Sequence, residues 1–97
     1  MSAVFKLAVL ADHARDQWHA AAPGFSECGG VGNTLALAEC ALGRSLATII
    51  DPLVRASGLD GPALRERLAR NAMVGGNRVM LVRSPGGDPQ RVNANCT

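Results

Sequence analysis

The sequence predicts a mainly α domain of the α+β kind, a single unit of about four helices closed by a C-terminal two-stranded β-hairpin. Three observations predict it. Apolar residues recur at three- and four-residue spacing through most of residues 2–73. Alanine and leucine, both good helix formers, carry the candidate core in place of aromatics: the chain has no Tyr, two Phe and one Trp. Only one run late in the chain, Arg78-Val-Met-Leu-Val-Arg83, has the β-branched content and the flanking turn signals of a strand.

Taken in order, residues 1–22 read as helix one. Val4, Leu7, Ala11, Ala14, Trp18 and Ala21 fall on one side, Asp12, Arg15, Asp16 and His19 on the other. Pro23-Gly24 ends it. The same stretch admits a second reading, with Val4–Leu10 as a short buried strand able to pair with residues 78–83. Residues 23–33 form a glycine-rich loop. Thr34–Ile50 is the most apolar helix, with Leu35, Ala38, Leu42, Leu46 and Ile49 in one stripe, and belongs in the middle of the domain. Asp51-Pro52 then reads as a fresh N-cap and first turn, giving a short third helix to Ser57 with Gly58 beyond its end. Asp60 is the expected cap of a fourth helix, Pro62–Met73, stopped by Gly75-Gly76. The hairpin occupies 77–94: strand 78–83, a turn over Ser84–Pro89 and a return strand Gln90–Ala94. Residues 95–97 are expected to be a frayed tail.

Composition narrows the function classes. Ninety-seven residues make one small domain, and no apolar run is long enough to cross a membrane, so a cytoplasmic protein is expected. Cys28, Cys40 and Cys96 are odd in number and widely spaced, which argues against a disulfide framework or a zinc finger. No nucleophile, base and acid share a supporting spacing, so neither a catalytic nor a metal site is expected. Net charge is +2 but uneven: residues 1–51 are acidic on balance, residues 52–97 arginine-rich. That asymmetry suits a polyanionic partner or head-to-tail self-association.

The string Cys28-Gly-Gly-Val-Gly-Asn-Thr34 resembles the variant P-loop of ParA/MinD-type ATPases. The resemblance implies a phosphate cradle from Gly29, Gly30 and Gly32, with Thr34 at the magnesium-binding hydroxyl. Cys28 and Asn33 stand where that motif has its two lysines, which removes the charge that meets the β/γ-phosphates. No nucleotide or other cofactor is expected. The residues by themselves read as a turn closed by Asn33 or Thr34 as helix N-cap.

The order helix, Gly58 turn, helix, hairpin over Ile50–Ala94 resembles a winged helix-turn-helix. That resemblance implies DNA contact through Arg65 and Arg67 on the second helix, with Arg78, Arg83 and Arg91 on the wing. The primary expectation is a different one: a small non-enzymatic protein binding a larger protein or nucleoprotein complex stoichiometrically, as an inhibitor or adaptor. Anti-CRISPR proteins of phage resemble it in size and character only. The expected contact residues are Asp12, Asp16 and Glu39 on the acidic side and Arg65, Arg67 and Arg70 on the basic side. A homodimer is a further option.

Overall fold

The computed structural model describes residues 3–84. They form β1 (Ala3–Ala14), β2 (Gln17–Ala21), β3 (Gly29–Gly32), α1 (Leu35–Ser57), α2 (Pro62–Val74) and β4 (Arg78–Ser84). The strands make one antiparallel sheet in the order β3-β2-β1-β4. α1 packs against β2, β3 and β4, and α2 against α1 and β1. The core joins Leu7, Val9, Met80 and Val82 of the sheet to Ala38, Leu42, Leu46 and Ile50 of α1, Leu64 of α2 and Phe25. The described architecture is thus two helices on a four-stranded sheet, and the expected four helices with a two-stranded hairpin are corrected accordingly.

The largest correction falls on helix one, which is the hairpin β1–β2. Its alternative reading, a strand over 4–10 paired with 78–83, describes what forms: β1 pairs with β4 from Ala3↔Ser84 to Val9↔Arg78. The helical spacing misled because β1 is apolar on both faces. Phe5, Leu7 and Val9 point toward α1, while Val4, Ala8 and Leu10 point away with Lys6 as the single charge among them, so no regular polar alternation marks the strand. Nor does the turn carry an Asn-Gly signal. Arg15 and Asp16 supply it, both with left-handed backbone at φ 55° and 63°, the conformation a two-residue hairpin turn needs. Local propensity for helix loses to pairing with a strand at the far end of the domain.

Two helical expectations merge into one element. α1 continues through Pro52, so Asp51 is no N-cap; its carboxylate instead accepts a hydrogen bond from the buried Ser84 hydroxyl of β4. The lost Pro52 donor is tolerated where the helix runs along the surface. Thr34 is the true N-cap, its hydroxyl accepting from Leu37 N–H at 3.2 Å. α2 begins beside Gly61 without a side-chain cap, so the capping role expected of Asp60 is not realised. The expected return strand 90–94, the tail 95–97 and Arg91 lie outside the described residues.

Two asparagines stitch the last third of the chain to β1. Asn71 of α2 accepts from Ala8 N–H at 2.9 Å, donates to the Ala8 carbonyl at 3.0 Å, and donates to the Pro23 carbonyl at 2.8 Å. Its amide stands in for the backbone of a strand just where β2 has ended. Asn77 does the same on the other flank, accepting from Ala11 N–H and donating to its carbonyl, both at 2.9 Å. Residues 71–77 therefore pass from one side of β1 to the other. Gly76 sits at the crossing, where an added Cβ would lie 2.4 Å from the Val9 carbonyl oxygen. Only glycine lets the backbones approach so closely.

Candidate functional site

The glycine motif is built into the sheet. Gly29–Gly32 is β3, paired with β2 from Ala21↔Gly29 to Trp18↔Gly32. Its backbone faces a neighbouring strand, and α1 lies directly on it: a Cβ on Gly30 would stand 2.1 Å from the Ala38 carbonyl oxygen. The glycines serve close strand–helix packing. Cys28, the residue in the first lysine position, is buried, its thiol donating to the Ser45 carbonyl at 3.5 Å, and burial raises its pKa. An inward, protonated thiol is a packing group.

The most developed charged site lies between α2 and the connection leading to β3. Arg67 grips Glu27 with two hydrogen bonds of 2.7 Å, donates to the Gly24 carbonyl at 3.2 Å, and stacks over Phe25 with 5.6 Å between guanidinium carbon and ring centre. The bidentate guanidinium holds the Glu27 carboxyl down to about 2, and the carboxylate in turn raises the pKa of Arg67. Gly24 makes the close approach feasible, adopting φ 85° against the backbone of α2. Around this pair opens a cleft of about 380 Å³, lined by Gly24, Ser26, Glu27, Ala63, Glu66, Arg67 and Arg70.

Beside the cleft, α2 turns a second set of residues to solvent. At 3.6 residues per turn, Arg65, Glu66, Ala69, Arg70 and Met73 share the side opposite Leu64, Leu68 and Asn71. Met73 is 84% exposed, the highest value among the exposed large hydrophobic residues, and Val74 follows it. Arg70 bonds Glu66 one turn back at 3.4 Å, a solvated pair of little energetic weight. No ion pair engages Arg65 among the described residues.

The structure distributes the sequence-predicted residues over three places. Arg65, Arg67 and Arg70 do share α2, but Arg67 is committed to Glu27. Asp12 lies near the end of β1, paired with His19, and Asp16 in the hairpin turn. Glu39 of α1 accepts from Arg78 of β4 at 3.2 and 3.3 Å, so these two expected contact residues pair with each other at the surface of the fold. Arg83 sits on β4 opposite Val4. β4 takes β1 as its neighbour, so Arg78 and Arg83 belong to the main sheet and not to a separate wing. Sequence reasoning missed Glu27 and Met73. Glu27 carries no local signal, because its partner is 40 residues away. Met73 was expected to close a helix, and its exposure follows only from the way Asn71 docks α2.

Among the described residues no group of three His, Cys, Asp or Glu side chains converges for a metal ion, and no helix is long and apolar enough to cross a membrane. Comparison with protein-family models, curated proteins and solved structures finds no match.

Proposed function

We propose that this chain is a small non-enzymatic binding protein that engages a larger protein or nucleoprotein complex stoichiometrically, as an inhibitor or adaptor in the cytoplasm, and that α2 is its contact surface. One observation carries the reading: Met73 is 84% exposed on the same side of α2 as Arg65 and Arg70. Methionine and arginine are enriched at protein interfaces, the first for adaptable apolar contact and the second for bidentate pairing. The Glu27–Arg67 clasp supports this surface from behind, fixing α2 against the loop so that the exposed side chains need little ordering on binding. Acidic groups on the partner would meet Arg65, with Met73 as the apolar anchor.

The test is affinity capture from the native host by the tagged protein, with and without nuclease, followed by capture with Arg65→Glu/Arg70→Glu/Met73→Asp. The expected result is one protein or complex retained after nuclease and weakened at least about tenfold by the triple substitution, which corresponds to ~1.4 kcal/mol. Equal capture by the triple variant, or capture that disappears with nuclease, overturns the reading.

A further inference from the structure

The cleft beside α2 has a committed floor and an uncommitted rim. Its floor is the Glu27–Arg67 clasp, in which both carboxylate oxygens and both terminal guanidinium nitrogens are already bonded. Phe25 is fully buried beneath Arg67 and does not line the cleft, so the guanidinium meets the opening with the side turned from the ring. The rim is Glu66 and Arg70 on the α2 side and the Ser26 hydroxyl on the loop side. Arg70 spends a single donor on Glu66, at 3.4 Å and with both side chains largely exposed. That bond is long and solvated and yields to a better acceptor, whereas the clasp, with its two bonds of 2.7 Å, does not. The clasp is neutral as a pair, and the charges of α2 left around the opening are Arg65 and Arg70 against Glu66, a positive balance. At about 380 Å³ the cleft has room for a carboxylate side chain together with some of the chain that carries it.

We infer, resting on the reading of α2 as the contact surface, that the cleft receives an acidic side chain, Asp or Glu, from a segment of the protein partner, and that Arg70 releases Glu66 to bind it. An incoming carboxylate takes two parallel hydrogen bonds from Arg70, as Glu27 does from Arg67, in place of one long one. The Ser26 hydroxyl can donate to the same carboxylate from the loop side. Glu66 then turns to solvent at little cost, because its pair with Arg70 is already exposed. A basic side chain fits less well: both Glu27 oxygens already face Arg67, and Glu66 is reached only by displacing Arg70 beside Arg65. Nucleic acid fits less well too, since it favours a run of free cations and here Glu27 and Glu66 interrupt the arginines. Met73 follows Arg70 about 4.5 Å along the helix axis, so α2 reads an acidic residue with an apolar one close by.

The probe is the peptide acetyl-Gly-Leu-Glu-Glu-Leu-Gly-amide, with analogues carrying Gln or Lys in place of both Glu residues, titrated into the isotope-labelled full chain and followed by amide NMR shifts. The Glu peptide should move the amides of Ser26, Glu66 and Arg70 with half-saturation near about 1 mM, and the Gln and Lys analogues should bind at least about fivefold more weakly. Ala63 is exposed on the wall of the cleft about two turns before Arg70, so substitutions there spare the core. Ala63→Glu places a built-in carboxylate in the cleft and should weaken the Glu peptide at least about fivefold; Ala63→Lys, of similar bulk, should not weaken it. Absence of shifts, a Lys analogue that binds as well as the Glu peptide, equal weakening by the two Ala63 variants, or preference for a short single-stranded oligonucleotide overturns the inference. Partner capture separates the two proposals. Capture lost with Arg65→Glu/Arg70→Glu/Met73→Asp but unchanged by Ala63→Glu keeps the α2 surface and overturns the cleft. Capture indifferent to the triple substitution, with the Glu peptide still bound, overturns the α2 surface and keeps the acid preference of the cleft.

Discussion

The two faces of β1 and β4 carry the same kinds of side chain and have opposite fates. Leu7, Val9, Met80 and Val82 are sealed beneath α1, whereas Val4, Leu10, Val79 and Leu81 on the same strands stand about half exposed. Hydrophobicity therefore does not decide which face becomes the core. The helix does, and α1 goes where β3 has no side chains: Gly30 lets the Ala38 turn settle on bare backbone. One face is closed by what the sheet lacks, and the other keeps its apolar side chains in contact with solvent.

That contrast can be broken from the inside first. Gly30→Val should have the largest effect, since the Cβ would overlap the α1 backbone at 2.1 Å; loss of the cooperative thermal transition is the expected outcome. Leu7→Ala, on the buried face, should cost about 2–4 kcal/mol by denaturant unfolding. Asn71→Leu leaves the Ala8 and Pro23 backbone groups without their partner, and a loss of about 2–3 kcal/mol is expected, with faster amide exchange at Ala8. Glu27→Gln should act more weakly and in a pH-dependent way. The carboxyl, held down from its usual 4.5 to about 2, contributes stability above pH 4.5 that is lost as pH falls from there through about 2. Melting temperatures of the native protein and the Gln variant should therefore differ at pH 6 and converge near pH 2. The smallest effect belongs to the outer face: Leu81→Ser should change monomer stability by less than about 0.5 kcal/mol, against the about 2 kcal/mol or more expected for Val82→Ala beside it. Equal losses at these two neighbours would erase the distinction between the faces.

Parts of this plan are legible in the residues. Thr34 before an apolar stripe marks the start of α1, and Gly75-Gly76 marks the end of α2. The run 78–83 is strand-like by composition and forms β4. The candidate site is legible in part: Arg65, Arg67 and Arg70 share one helix, but the Glu27 clasp that turns Arg67 away from Arg65 and the exposure of Met73 follow from contacts between distant segments. β1 was ambiguous for a physical reason. A strand apolar on both faces has no two-residue period, and its alanines and leucines satisfy a helical period equally well.

The sequence by itself determined the punctuation and the charge supply: the Thr34 cap, the Gly58 and Gly75 stops, the strand character of 78–83 and the arginines of the second half. Those signals act over a few residues, through backbone conformation and local hydrogen bonding, and survive without a partner segment. Tertiary structure alone decided that residues 3–14 and 17–21 are strands, that Pro52 lies within a helix, that Gly29–Gly32 is a packed strand, and that Arg67 and Arg78 are already engaged. Each depends on a group far along the chain, such as β4 for β1 or Glu27 for Arg67. The free energy of such pairings is defined only once both partners are in place.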